Sequence, residues 1–279
     1  MMKKINTIIM LATALIFGSA CKSNKTEQTE SQEGKSLVLY YSQTGATKAV
    51  AEELQKQLGC DIDSIVAVNP YDGDYGQTIA RWMQEKKDSV KVEVKSLNVN
   101  LDEYDTIFLG FPIWGGTYAL PMASFLADNN LNGKNVVTFA TFGSGGIEKA
   151  TIDVAVALPG AEVKEGYGVR NARVDKAPQE INRFLIENGY VEGELEALPD
   201  FSDPTDVCDK DAVIFHAACD NYQFPLGNPV SVATRQTPEG AEYEFGVKST
   251  APDGSESNSI IYVIAPQGQT PEFTRVVRE

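Results

Sequence analysis

Ser42, Thr44 and Thr47 bracket Gly45 in the segment Tyr40-Tyr41-Ser42-Gln43-Thr44-Gly45-Ala46-Thr47-Lys48, which follows an apolar run and opens a helical pattern. A phosphate needs a concave set of backbone N–H donors and short hydroxyls, without bulk to hold it away. A helix N-terminus adds the positive end of its dipole. The hydroxyls supply the side chains, and Gly45 lets the backbone approach closely. No Lys-Ser/Thr pair follows the glycine and no G-x-G-x-x-G is present, so the loop suits a monophosphate that brings no metal. By itself the segment is equally a Ser/Thr-rich helix cap without a ligand.

Two further segments change that balance. Gly110-Phe111-Pro112-Ile113-Trp114-Gly115-Gly116-Thr117-Tyr118 and Thr141-Phe142-Gly143-Ser144-Gly145-Gly146 each follow a later apolar run. The first offers Trp114 and Tyr118, the second Phe142, each beside glycines. A hydroxyl cradle flanked by aromatic loops suits a ligand with a phosphate at one end and a flat ring at the other, which is FMN. The plainer reading of Trp114 is core filler, since aromatics are usually buried for packing. Its place between glycines in a loop argues the other way.

These loops need a frame. Leu37–Tyr41 and Thr106–Gly110 are continuous apolar runs, expected of strands buried on both faces of a parallel sheet. Asp61–Val66, Asn135–Ala140 and Ala161–Glu165 read as further strands, and Lys48–Leu58, Tyr75–Lys87, Met122–Asp128, Glu148–Leu158 and Pro178–Asn188 as helices. Trp82 and Met83 fall at helical spacing and read as core. Strand–helix alternation predicts βαβ units in a doubly wound α/β sheet, with the three loops at the carboxyl ends of central strands, where such sheets bind ligands. After Glu192 the texture changes to Pro, Asp and Gly clusters separating the runs Ala212–Phe215, Pro229–Thr234, Ala241–Lys248 and Ser259–Ile264. Residues 195–279 thus read as a small antiparallel β-rich domain of four or five strands.

With those loops in hand, residues 36–190 resemble the flavodoxin family, nearest a bacterial branch with a Pro-Ile-Trp-Gly third loop. The resemblance implies a five-stranded parallel sheet of order 2-1-3-4-5. It implies that Ser42, Gln43, Thr44, Gly45, Ala46 and Thr47 grip the FMN phosphate. Pro112, Ile113, Trp114 and Gly115, with Thr141, Phe142, Gly143, Ser144 and Gly145, would then hold the isoalloxazine. That branch often carries a His-Gly-Gly or similar segment in the fourth-strand loop, where this chain has Phe142-Gly143-Ser144. The chain has one histidine, His216, so no imidazole from this domain can assist a hydride or proton transfer. Simple electron carriage follows as the leading expectation, with no catalytic residue and no metal ligand assigned. The alternatives are an NAD(P)H-dependent quinone or nitro reductase on the same fold, and a non-redox envelope lipoprotein with a degenerate flavodoxin fold. A turn of the peptide at Gly115 or Gly116 could offer a carbonyl to the reduced ring.

Charge and the N-terminus set the surroundings. A net charge of −15 on 279 residues argues against nucleic acid or an anionic membrane surface as a direct partner and favours a redox partner with a basic docking surface. It should also oppose formation of an anionic reduced ring and so lower its potential. Lys3 and Lys4, the apolar run Ile5–Phe17 and the small residues Gly18-Ser19-Ala20 before Cys21 have the layout of a bacterial signal segment, residues 1–21. Cys21 sits where a lipobox cysteine would be lipidated, although Gly18 stands where an aliphatic residue is usual, which leaves ordinary cleavage after Ala20 open. Residues 22–35 are polar and read as a flexible tether. The expectation is an exported protein of the cell envelope, held to the membrane only through a lipid on Cys21. Of the other cysteines, Cys208 and Cys219 are the local candidates for a disulfide, leaving Cys60 free. His216 and Cys219, at the end of a strand-like run, lack the further Cys or His of a metal cluster.

Overall fold

The computed structural model describes residues 34–222, 224–250 and 253–278; the expected signal segment, Cys21 and nearly all of the expected tether lie outside them. The unbroken apolar runs become strands because their alternate side chains each find a covered face. In β1 (Ser36–Tyr40), Leu37 and Leu39 enter one core and Val38 the other. The same alternation holds in β3 (Thr106–Trp114), where Ile107 and Leu109 oppose Phe108, and in β5 (Asn135–Phe142), where Val136 and Ala140 oppose Val137 and Phe139. Helices α3 (Leu120–Asp128) and α4 (Glu148–Ala157) cover the first face with Met122, Phe125 and Val154. Helices α1 (Ala46–Leu58) and α5 (Ala177–Glu187) cover the second with Val50, Leu54, Ile181 and Leu185.

With β2 (Asp61–Ser64) and β6 (Glu162–Arg170), the parallel sheet has the order β2-β1-β3-β5-β6. The two-residue β4 (Thr117–Tyr118) pairs antiparallel with β3. Setting β4 aside, this is the expected order 2-1-3-4-5. Helix α2 (Tyr75–Lys87) has the predicted bounds, fixed at its start by Asp74, whose side chain accepts from the Gln77 N–H at 2.8 Å. It packs less deeply than its pattern suggested, for Met83 is exposed.

The C-terminal part is a second sheet, β11-β10-β9-β8-β7, antiparallel throughout. Its strands are β7 (Thr205–Asp206), β8 (Asn228–Thr237), β9 (Gly240–Thr250), β10 (Glu256–Pro266) and β11 (Glu272–Arg278). One face packs on helix α6 (Asp209–Cys219), where Phe215 and Cys219 meet Phe245, Ile261, Phe273 and Val276. Two expectations fail here. Ala212–Phe215 is helical, because Asp209 and Asp211 favour a helix start and the Cys208 N–H donates to Asp211 Oδ2 at 3.1 Å. β11 was not foreseen, because Phe273, Val276 and Val277 neither run unbroken nor keep a strict alternation.

The helix also removes the disulfide. Cys208 precedes and Cys219 ends the 11 residues of α6, a rise of about 16 Å against the ~7 Å limit for bridged Cα atoms. Cys60, Cys208 and Cys219 are all free. His216 is exposed, its Nδ1 3.0 Å from Asp220 Oδ1, while Cys219 points into the core. Burial pushes the Cys219 thiol up to about 12.

Candidate functional site

Three chain reversals meet at the carboxyl edge of the parallel sheet. Tyr40 at the end of β1 lies beside Gly110 of β3, and Pro112 of β3 lies beside Thr141 of β5. The loop 41–45, the β3–β4 hairpin and the loop 143–147 therefore leave neighbouring strands at one rim.

In the first loop, Gly45 has φ 95° and caps α1 without a side-chain hydrogen bond. Space around its Cα is open, so this conformation requires glycine where the sequence reading had invoked close approach. The Gly45 N–H donates to Ser42 Oγ at 3.2 Å, closing the turn, and Thr44 is exposed at its tip. Gln43 is committed elsewhere: its Nε2 donates to the Tyr71 carbonyl at 3.2 Å and to Thr78 Oγ1 at 3.1 Å. Thr47 faces inward, and its hydroxyl lies 2.8 Å from that of Thr141. Two predicted site residues from separate loops thus bond to one another. Ser42, Gln43, Gly45 and Lys48 line a cavity of about 340 Å³ together with Tyr41 and Tyr71.

The second segment is largely strand. β3 runs through Pro112, Ile113 and Trp114, and Gly115 and Gly116 make a two-residue hairpin turn with φ 57° and 84°. Positive φ at both central residues matches the turn whose twist suits a hairpin, which is why two glycines stand there. Trp114 is half-buried, its ring edge-on to Tyr71 at 4.9 Å and to Tyr41 at 6.0 Å. It is part of an aromatic cluster, closer to the core reading than a loop residue would be. Trp82, read only as core, covers Gly115: a Cβ there would come within 2.4 Å of its ring. Tyr71 is held in place from α2, with its hydroxyl on Glu85 and Arg81 stacked 3.9 Å over its ring. Burial pushes the Tyr71 and Tyr41 hydroxyls well above the usual tyrosine range. The signal for Trp82 was its type alone, since the hairpin that it covers cannot be placed from sequence.

In the third segment, Thr141 and Phe142 are buried at the end of β5, while Gly143 is exposed and Ser144 and Gly145 are partly so. Phe142 is therefore not an exposed stacking surface. Ile113, Gly116 and Phe142–Gly146 form one side of a second cavity, about 460 Å³. The predicted residues thus divide: Ser42, Gln43 and Gly45 line one cavity, and Ile113 with Phe142, Gly143, Ser144 and Gly145 line another, joined at the rim through Thr47 and Thr141. Thr44, Ala46, Pro112, Trp114 and Gly115 frame the rim without lining either.

Charged side chains of both signs gather at this second cavity. Arg170, half-buried, donates from Nε to the Gly143 carbonyl at 2.7 Å, and Glu148, Lys149 and Arg278 line the cavity, one carboxylate with two cations.

Comparison with known proteins bears on this arrangement. A flavoprotein candidate from Bacteroides uniformis is 30% identical, covering 53% of this chain and 98% of its own, with a TM-score of 0.48. A similar Bacteroides eggerthii protein is 29% identical over 53% and 98%, with a TM-score of 0.46. A Lactobacillus acidophilus flavoprotein solved in complex with FMN is 24% identical over 51% and 97%, with a TM-score of 0.42. No curated protein matches. The flavodoxin family model matches residues 35–184, the parallel sheet with the helices that cover it up to most of α5. With the order 2-1-3-4-5 and that match over more than half of its length, this chain belongs to the flavodoxin family.

Proposed function

We propose that this protein binds FMN at the carboxyl rim of its parallel sheet and serves as an electron-transfer protein of the cell envelope. The observation that carries the reading is the convergence of three reversals at the ends of β1, β3 and β5, with the N-terminus of α1 at the same rim. In this sheet order, ligands sit where the strand order reverses, between β1 and β3. The exposed Thr44, Ser42 Oγ and the free N–H groups at the start of α1 would hold the phosphate. The hairpin 113–116 and the loop 143–146 would hold the ring. When bound, FMN would supply one- and two-electron chemistry; the chain's part is to bind and orient it and to set the charge beside it.

Export and lipid attachment at Cys21 remain part of the proposal and rest on residues 1–21. Replacing Cys21 by Ser should abolish incorporation of labelled palmitate. A partner with a basic docking surface is proposed from the chain's acidity alone.

The test is an anaerobic reductive titration of the protein reconstituted with FMN. Reversible bleaching of bound flavin by a chemical reductant, with slow oxidation of NAD(P)H unless a reductase is added, is the expected result. Rapid unaided NAD(P)H oxidation would select the reductase reading instead. That second reading draws on a chamber of about 390 Å³ beside Ser144, walled by Tyr222 and Phe224, of a size suited to a small substrate.

A further inference from the structure

The family match ends at residue 184, yet the ring-loop cavity does not end with the matched part. Besides Glu148 and Lys149 of α4, its lining takes in Val276, Val277 and Arg278, the end of β11. The C-terminal sheet is fixed there by specific bonds. The Val276 N–H donates to the Ser144 carbonyl at 2.9 Å. Arg170 joins the two parts, donating to Gly143 O at 2.7 Å and to Phe273 O at 2.6 Å, with its guanidinium 4.1 Å over the Phe273 ring. Arg275 Nη1 meets Glu148 Oε1 at 2.9 Å at the start of α4. Deeper in the same interface, Arg173 bonds Glu272 of β11 at 2.8 Å and Glu180 of α5 at 2.9 Å.

This is a seated strand. Backbone groups of the loop 143–146 that would otherwise meet solvent are spent on β11 and on Arg170, so the loop's shape depends on the C-terminal sheet. The space between them, an open cleft of about 460 Å³, lies within the ~300–1,000 Å³ of small-molecule sites. Ser144, Val276 and Arg278 also border the adjoining chamber of about 390 Å³, which makes β11 the partition between the two.

We infer that the ring site of this protein is composite: β11 supplies its outer wall through Val276 and Val277, and Arg278 places a cation beside the bound ring. The inference rests on the flavin reading above and adds residues outside the matched family segment. A cation at that edge favours the reduced, negatively charged ring, opposing the field expected from a chain of net charge −15. Val277 is partly exposed and lines only the ring-loop cavity, so a large side chain there fills that space without entering the sheet's core.

The experiment uses the full chain and FMN as the probe. Affinity is measured by quenching of flavin fluorescence for wild type, Val277→Trp and Arg278→Glu, and the midpoint potential for wild type and Arg278→Glu. Expected are an affinity loss of at least tenfold in Val277→Trp and a more negative potential in Arg278→Glu, both at unchanged thermal midpoint. Wild-type affinity in Val277→Trp together with an unmoved potential in Arg278→Glu overturns the composite site and leaves the flavin reading standing. If Val277→Trp does not fold, the potential of Arg278→Glu decides alone. Absence of FMN binding by the wild type sinks the flavin reading and this inference together.

Discussion

The hydroxyls of Thr47 and Thr141 lie 2.8 Å apart, 94 residues distant in sequence, with neither side chain reaching solvent. One stands in the first turn of α1 and the other at the end of β5, so this bond ties the first loop to the third. Removing one partner leaves the other hydroxyl buried and unpaired, at about 1–3 kcal/mol. Thr47→Val should therefore lower stability to denaturant by that amount, and Thr141→Val likewise. The double variant should lose much less than the sum of the two single losses, because it strands no polar group. Additive losses in urea unfolding would show that the bond is not what the two residues contribute.

The adjacent glycines of the hairpin differ in their surroundings. Gly116→Ala meets open space and should cost only the left-handed backbone, about 1–2 kcal/mol. Gly115→Ala meets the Trp82 ring as well and should cost more, by about 1–3 kcal/mol of overpacking. Trp82→Ala should narrow the difference between them. Equal costs in thermal unfolding would mean that Trp82 yields freely.

Cys219 and Cys208 should react differently. The buried Cys219 thiol is pushed up to about 12, whereas Cys208 is exposed. At pH 9 iodoacetamide should label Cys208 in the folded protein and Cys219 only after unfolding. A thiol whose folded pKa lies above its unfolded value of about 8.5 stabilises fully below that pH, and the contribution is lost as pH rises toward 12. Mass spectrometry of the labelled peptides checks the order.

Arg173 is the buried cation between Glu180 and Glu272, and those carboxylates hold it charged against its burial. Arg173→Met would leave two carboxylates facing each other across the interface. The expected loss is up to about 3 kcal/mol, at the low end for buried pairs because both carboxylates keep some water. Adding Glu272→Gln should recover part of it; no recovery would place the loss in packing.

The parallel sheet was legible because its strands are buried on both faces. Leu37-Val38-Leu39 and Ile107-Phe108-Leu109 leave no polar side to blur the pattern. The rim was legible because glycines and hydroxyls follow those strands directly. What failed had physical causes. Ala212-Val213-Ile214-Phe215 favours a strand locally, and the helix signal lay upstream in Asp209 and Asp211. Trp114 lay between glycines in sequence, but β3 continues past Pro112 and seats the ring against Tyr71. The wall at Val276–Arg278 was not legible at all, since it arises from two sheets that meet through Arg170 more than 100 residues from its acceptor on β11.

The central claim is that the three reversals at one rim hold FMN, and equilibrium binding of FMN to the purified full chain tests it most directly. The account predicts saturable quenching of flavin fluorescence with one FMN per chain, weakened at least tenfold by Gly45→Val, whose φ of 95° a branched side chain resists. A folded protein that takes up no FMN at saturating concentration would contradict it.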